Sequence, residues 1–181
     1  MRTPETHYAR SGELRIAYQK WGEGPALMIV PPLISNVEIV WEHELIGRSL
    51  EYLGKHFTCV QFDKRGIGLS DRFDELPTLS QRIEDIGAVM SAVSWEKAHF
   101  FGISEGGAMG QLFAADFPER VESLVLLNSL VPPRYRKRIP DYVQDGDLPL
   151  RTTKEIYERF LNLVETWSEQ PACMVDWMTP S

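Results

Sequence analysis

One serine of this chain lies between two glycines, in the run Phe100-Phe101-Gly102-Ile103-Ser104-Glu105-Gly106-Gly107. The run begins with apolar residues, turns at the glycines and continues into a segment with helical character. Gly-x-Ser-x-Gly between a strand and a helix is the spacing of a nucleophile elbow, in which the serine lies on a sharp, strained turn. Side chains two residues before and after the serine would collide with neighbouring backbone, and glycine at 102 and 106 removes them. The spacing therefore predicts Ser104 as a nucleophile, with Gly102 and Gly106 as structural residues of the elbow.

Short apolar runs alternate with helical patterns on both sides of this elbow. Apolar runs bounded by breakers or polar residues predict strands at residues 15–21, 26–30, 57–62, 99–103 and 124–127, the last of them buried. Apolar residues at helical spacing predict helices at residues 37–53, 78–93, 105–117 and 153–167. Thr78 and Gln81 have the spacing of a capping box, so Thr78 should begin its helix. The alternation predicts an α/β fold, with a mostly parallel sheet and flanking helices.

The composition is that of one soluble globular domain, with 43% hydrophobic and 25% charged residues among 181. The net charge of −7 argues against nucleic acid as a partner, because phosphate binding needs clustered lysine and arginine. The longest apolar stretch, residues 26–34, contains two prolines and is too short to cross a membrane, and no signal peptide is visible. The two cysteines form no metal or disulfide pattern, and there is no glycine-rich phosphate loop. We expect a cytoplasmic protein with no membrane partner, no cofactor and no metal.

Further motifs resemble the α/β-hydrolase superfamily in their order and spacing. The run Asp63-Lys64-Arg65-Gly66-Ile67-Gly68-Leu69-Ser70 resembles the Asp-x-Arg-Gly-x-Gly-x-Ser turn that follows a central strand of that family, and Ser104 matches its nucleophile. Residues 117–127 resemble the family's next helix end and strand, so the resemblance covers residues 14–130. In the amino acids of three short segments, residues 62–66, 76–79 and 104–107, the chain most resembles hydrolase domains fused to class III adenylate or guanylate cyclases. The resemblance implies an α/β-hydrolase fold, with its core at residues 1–130.

The resemblance also implies a chemical role for Ser104. The serine would attack an ester or related acyl carbon of a small apolar substrate, with a histidine as its general base. The backbone N–H groups of Leu33 and Glu105 would form the oxyanion hole, helped by the positive end of the helix that begins at Glu105. The chain departs from the commoner pattern where Pro31-Pro32 replaces His-Gly before the oxyanion loop. It also has a carboxylate at Glu105, which either disfavours anionic substrates or simply caps the first helical turn.

The second half of the catalytic machinery is not visible in the sequence. The family's chain order is serine, then acid, then histidine, and no histidine follows Ser104. Of the four histidines, His56 and His99 are placed at the beginnings of strands, so they should lie at the wrong end of the sheet. His43 follows the oxyanion loop and is the one substitute base that the chain offers; an ordinary surface position is the alternative for it.

We therefore expect the sequence to stop before the last two strands of the family's sheet, with residues 131–181 as the start of a helical lid. The acid and the histidine would then lie in a missing C-terminal part, and the 181-residue chain alone would be inactive. The run at 124–127 would be left as an apolar edge strand, through which we expect self-association.

Two functions of different classes remain open at this point. One is a serine hydrolase of the esterase type. The other is a non-catalytic or regulatory domain that binds a ligand within a larger, cyclase-type protein. Dehalogenases and epoxide hydrolases of the superfamily have an aspartate nucleophile, which Ser104 argues against. Perhydrolase and carbon–carbon bond hydrolase chemistry share the serine and stay open.

Overall fold

A computed structural model of the protein describes residues 3–72 and 77–129. Six strands in this part of the chain form one sheet: β1 (Thr6–Ser11), β2 (Leu14–Trp21), β3 (Ala26–Val30), β4 (Thr58–Phe62), β5 (Ala98–Ile103) and β6 (Val121–Leu127). Their order across the sheet is β1-β2-β4-β3-β5-β6. β4, β3, β5 and β6 run parallel to one another, whereas β1 pairs antiparallel with β2 and β2 pairs antiparallel with β4. The prediction of a mostly parallel sheet is confirmed.

Helices cover both faces of this sheet: α1 (Glu44–Gly54), α2 (Leu79–Ala92) and α3 (Glu105–Asp116). Alternate residues of β3 belong to two separate hydrophobic cores. Met28 and Val30 pack in the core that contains residues of α2 and α3. Leu27 and Ile29 pack in the core that contains Leu50 of α1. β3 is therefore buried on both faces, which is the environment that a short, continuous apolar run predicts.

The helix boundaries confirm part of the sequence prediction. Thr78 is the N-cap of α2: its hydroxyl accepts a hydrogen bond from the Gln81 N–H (3.2 Å), and the Gln81 side chain accepts one from the Thr78 N–H (2.8 Å). The single helix predicted at 37–53 is wrong in its first part, where a 3-10 turn at Ile39–Trp41 precedes α1. His43 separates the two segments because its backbone is extended, with φ −80° and ψ 112°.

The two edges of the described sheet differ from the sequence prediction. β1 was not predicted, because only Ala9 and Ser11 of its six residues are buried and the strand has little apolar content. The run at 124–127 is not buried as its apolar composition alone predicts. β6 lies at the edge of the described sheet, as expected for a sheet that ends with this strand, and Val125 and Leu127 are 56% and 52% exposed. The predicted lid at 131–181, with its helix at 153–167, lies outside the described residues. No helix within residues 3–72 and 77–129 is long and apolar enough to cross a membrane.

The turn after β4 fixes the loop after β3. The buried Asp63 carboxylate accepts hydrogen bonds from the Ser35 hydroxyl (2.8 Å) and from the N–H groups of Val37 (3.2 Å) and Leu69 (3.0 Å). Burial raises the pKa of Asp63, and these three hydrogen bonds act in the opposite direction. Gly68 has a φ of +56°, and a Cβ there would lie 2.1 Å from Asp63 Oδ2. The turn can therefore close only with glycine at this position.

The same turn is anchored to α2 by a buried ion pair. The Arg65 guanidinium donates two hydrogen bonds to Asp85, from Nε to Oδ2 (2.9 Å) and from Nη2 to Oδ1 (2.6 Å). The two side chains are only 7% and 0% exposed, so the pair is largely shielded from solvent.

We expect Asp85→Ala to lower the free energy of unfolding by about 3–5 kcal/mol, because it leaves the Arg65 charge buried without its partner. Glu84→Ala is the matched control: Glu84 is the neighbouring residue, its contact with Arg65 is 3.8 Å long and its side chain is 69% exposed. It should change the free energy by less than about 1 kcal/mol. Urea denaturation measures both variants, and equal losses would contradict the importance assigned to the buried pair.

Candidate active site

Ser104 lies between the end of β5 and the start of α3. Its backbone has φ 53° and ψ −117°, a positive-φ conformation that is strained for any residue with a side chain. The Ser104 N–H donates to the Leu127 carbonyl (2.9 Å), and the Ser104 carbonyl accepts from the Gly107 N–H (3.1 Å). These bonds hold the strained residue in place. Ser104 is exposed, and its hydroxyl makes no capping hydrogen bond to α3.

The glycines around Ser104 are required by close backbone contacts. A Cβ at Gly102 would lie 2.6 Å from the Gly107 Cα. A Cβ at Gly106 would lie 2.2 Å from the Val30 carbonyl oxygen and 2.5 Å from that of Pro31. Side chains do not fit at such distances. The first turn of α3 therefore packs directly on the backbone at the end of β3.

Leu33 lies in the loop that follows β3. The Leu33 carbonyl accepts a hydrogen bond from Lys64 Nζ (3.0 Å), and the later part of the loop is tied to Asp63 as described above. β3 and β5 are adjacent and parallel, so Leu33 and Glu105 both follow strand ends at the same edge of the sheet. The two residues predicted to supply the oxyanion N–H groups thus share one edge with Ser104.

The Glu105 carboxylate is held by two cations that the sequence analysis did not identify. Lys64 Nζ pairs with Glu105 Oε2, and Arg82 Nη1 pairs with Glu105 Oε1. Glu105 is the first residue of α3, after the N-cap residue Ser104, and Ser104 makes no side-chain cap bond. The structure therefore gives the carboxylate a third role besides the two considered from the sequence: it is an ion-pair partner of two basic side chains.

The environment of Lys64 makes this cluster unusual. The Lys64 side chain is 0% exposed. Burial lowers the pKa of Lys64, and the nearby Glu105 carboxylate acts against that change. Arg82 is 13% exposed, and its Nε atom is buried without a hydrogen-bond partner among the described residues. Two positive charges therefore lie against the carboxylate of Glu105, the residue that follows Ser104.

Comparison with known proteins identifies the family. A family model described as alpha/beta hydrolase fold matches residues 25–172. The chain belongs to the α/β-hydrolase family. The human serine hydrolase-like protein is 30% identical over 118 residues, which cover 63% of this chain and 55% of the human protein. Epoxide hydrolase 1 of Caenorhabditis elegans is 28% identical over 138 residues, which cover 75% of this chain and 33% of that protein.

Solved structures of α/β-hydrolases are similar to this one. A hydrolase from Pseudomonas aeruginosa PA01 has a TM-score of 0.64 and 27% identity, over 89% of this chain and 59% of that chain. The enol-lactonase from Burkholderia xenovorans LB400 has a TM-score of 0.61 and 27% identity, over 68% of this chain and 46% of that chain. In all four matches this chain covers less than two thirds of the other protein.

The structure places His43 and His99 in contact with residues other than Ser104. His43 is the N-cap of α1, where its Nδ1 accepts from the Ile46 N–H (3.5 Å). His99 Nδ1 lies 2.9 Å from the Ser123 hydroxyl at the beginning of β5, the end of that strand opposite to Ser104. Among the described residues, no hydrogen bond joins a histidine to Ser104. His43 as a substitute base therefore stays a prediction, with helix capping as its observed role.

Among the described residues, neither a cluster of metal ligands nor a reactive thiol accompanies Ser104. In the described part of the chain, no group of three or more histidine, cysteine, aspartate or glutamate residues could hold a metal ion. Burial raises the pKa of Cys59, in β4, to about 12, so the thiol keeps its proton at neutral pH.

We expect Gly106→Ala to lower the free energy of unfolding by about 1–3 kcal/mol, because the new methyl group must push α3 away from the end of β3. Gly87→Ala in α2 is the matched control: its Cβ would meet nothing closer than 3.7 Å. Alanine is favoured over glycine inside a helix, so this variant should gain about 1 kcal/mol. Chemical denaturation followed by circular dichroism compares the two, and a stabilised Gly106→Ala variant would contradict the contact.

Proposed function

We propose that the protein is a serine hydrolase of the esterase type, in which Ser104 is the nucleophile and the N–H groups of Leu33 and Glu105 form the oxyanion hole. The observation that carries the proposal is the strained, exposed backbone of Ser104 at the junction of β5 and α3. Strain of this kind persists where the surroundings enforce it, and it is concentrated at functional sites. The family's known nucleophile elbow has the same strand–serine–helix arrangement.

The proposed reaction proceeds in two steps. Ser104 Oγ attacks the acyl carbon of an ester while a general base takes its proton, and the carbonyl oxygen becomes a tetrahedral oxyanion. The two backbone N–H groups stabilise that charge, together with the positive end of α3. Collapse of the intermediate expels the alcohol, which takes up the proton, and leaves an acyl group on Ser104. Water then attacks this acyl group with the same base, releasing the acid and the free serine.

The base and its acid partner are assigned outside the 181 residues. No histidine follows Ser104 in the sequence, whereas the family places its histidine after the nucleophile and the acid. We therefore propose that the nucleophile and the oxyanion donors lie within these 181 residues, whereas the base lies in a C-terminal part of the protein.

An apolar ester or related acyl compound is the proposed substrate. Leu33 and Ile34, in the oxyanion loop, are exposed apolar residues that an acyl chain could contact. Repulsion of anionic substrates is one of the two roles that the sequence leaves open for Glu105. Its pairing with Lys64 and Arg82 removes that argument, because the local charge is then no longer negative. Anionic acyl compounds are thus compatible with the site as well.

Self-association through β6 is proposed for the same chain. Val125, Leu126 and Leu127 are exposed apolar residues at the edge of the described sheet. Unpaired strand edges with apolar side chains pair readily with other chains. Analytical ultracentrifugation of the 181-residue chain should show concentration-dependent association, and a monodisperse monomer at all concentrations would contradict this.

We expect a fluorophosphonate probe to label the protein encoded by the whole reading frame that contains these residues, and Ser104→Ala to abolish that labelling. Ser91→Ala is the control, because Ser91 is exposed on α2 and bonds only to its own helix, through the Gly87 carbonyl. Mass spectrometry of the labelled peptide locates the probe. Absence of labelling in a folded wild type would favour the ligand-binding alternative.

We expect the 181-residue chain alone to be labelled at least about 100-fold more slowly than the protein encoded by the whole reading frame, because no base takes the Ser104 proton. Added imidazole should raise the rate by supplying a base. If the isolated chain reacts at the full rate, a base lies within it, and His43→Asn then tests that residue: asparagine keeps an N-cap for α1 while the imidazole is lost.

A further inference from the structure

Lys64 contacts both residues that carry the proposed oxyanion N–H groups. It lies in the turn directly after β4, with a completely buried side chain. Its Nζ donates to the Leu33 carbonyl (3.0 Å) and pairs with the Glu105 carboxylate. One ammonium group therefore connects the loop after β3 with the first residue of α3.

Arg82 holds the same carboxylate from a third element. It lies in α2, and its Nη1 pairs with Glu105 Oε1, whereas Lys64 pairs with Oε2. Both carboxylate oxygens are thus engaged, and the Glu105 side chain is fixed in orientation. The titratable and charged groups that act on Lys64 are Glu105, Arg82 and the neighbouring Asp63.

Stability alone is a poor explanation for this cluster. Burying a lysine charge is unfavourable, and a well-packed apolar side chain is often as stable as a buried ion pair. The loop after β3 also has a separate anchor, because Asp63 binds the Ser35 hydroxyl and the Val37 N–H. Asp63 makes no hydrogen bond to Leu33, whose carbonyl is bound by Lys64 instead.

Oxyanion stabilisation, in contrast, is sensitive to small displacements. The donors must lie about 2.7–3.1 Å from the oxyanion, so a shift of a few tenths of an ångström weakens the bond. A misplacement of about 1 Å in an active site can cost roughly 100-fold in rate. A rigid connection between the two donor residues should therefore matter more for the reaction rate than for the stability of the fold.

We propose that Lys64, Glu105 and Arg82 form a clamp that positions the two oxyanion donors, with Lys64 and Arg82 acting as positioning residues for the hydrolysis. The clamp is defined by these three side chains and the Leu33 carbonyl. It acts on Ser104 chemistry without contacting the substrate. This inference rests on the proposed function, because it concerns the oxyanion hole of that reaction.

The test measures fluorophosphonate labelling of Ser104 in the protein encoded by the whole reading frame, as the maximal rate (kinact) and the half-saturating probe concentration (KI). Lys64→Met should lower kinact by about 10- to 100-fold and leave KI within about threefold, because the donors are displaced while the binding surface stays. Lys64→Arg, which keeps a cation, should recover much of the loss. Lys97→Met is the control, since Lys97 forms a half-exposed ion pair with Glu122 elsewhere in the fold.

Glu105→Gln is the second variant, and it decides the matter if Lys64→Met does not fold. The amide keeps the size of the side chain but removes the charge that holds Lys64 and Arg82, so kinact should again fall with KI unchanged. A kinact within twofold of the wild type in either folded variant would overturn the clamp. A raised KI with a normal kinact would also overturn it, because that result indicates a role in substrate binding. If the wild type itself shows no Ser104-dependent labelling, the proposed function fails and the clamp with it; normal labelling in every variant overturns the clamp alone.

Discussion

The site depends on the contact between the first turn of α3 and the backbone at the end of β3. Gly106 lies so close to the Val30 and Pro31 carbonyls that no side chain can separate them. The contact brings the start of α3, with Ser104 and Glu105, against the beginning of the loop that carries Leu33. A sheet in which β3 and β5 are parallel neighbours makes this possible, because both strands then end at the same edge.

The turn after β4 adds a second level of support. Asp63 and Lys64 are consecutive, yet they bind different parts of the loop after β3: Asp63 binds Ser35 and Val37, and Lys64 binds Leu33. Arg65, the next residue, anchors the turn to α2 through Asp85. Three neighbouring side chains of one turn thus connect a strand end, a loop and a helix, all buried and all polar. Such a polar interior is costly unless it is satisfied, and here nearly every described group has a partner.

Much of the fold follows from local patterns in the sequence. The spacing of Gly102, Ser104 and Gly106 predicted the elbow, and Thr78 with Gln81 predicted the start of α2, because both features depend on residues a few positions apart. β1 was missed because its pairing with β2, rather than its own composition, makes it a strand. For β6, the apolar composition alone predicts a buried strand, whereas its expected position as the last strand predicts the exposed edge that the described sheet has.

The site was predictable only where its geometry is local. Ser104 and Glu105 come from one motif, and Leu33 came from the position of a loop. The cluster of Lys64, Arg82 and Glu105 joins residues that are 41 and 23 positions apart, on three different elements. No spacing rule connects them, since only the folded sheet brings these elements to the same edge. Charge alone would have suggested solvent-exposed side chains, which is the usual state of lysine and glutamate.

A crystal structure of the phosphonylated protein tests the proposed nucleophile and oxyanion donors most directly. The phosphorus should be bound to Ser104 Oγ, with the phosphoryl oxygen about 2.7–3.1 Å from the backbone nitrogens of both Leu33 and Glu105. Attachment of the probe to another residue, or a phosphoryl oxygen turned away from these two nitrogens, would contradict these assignments.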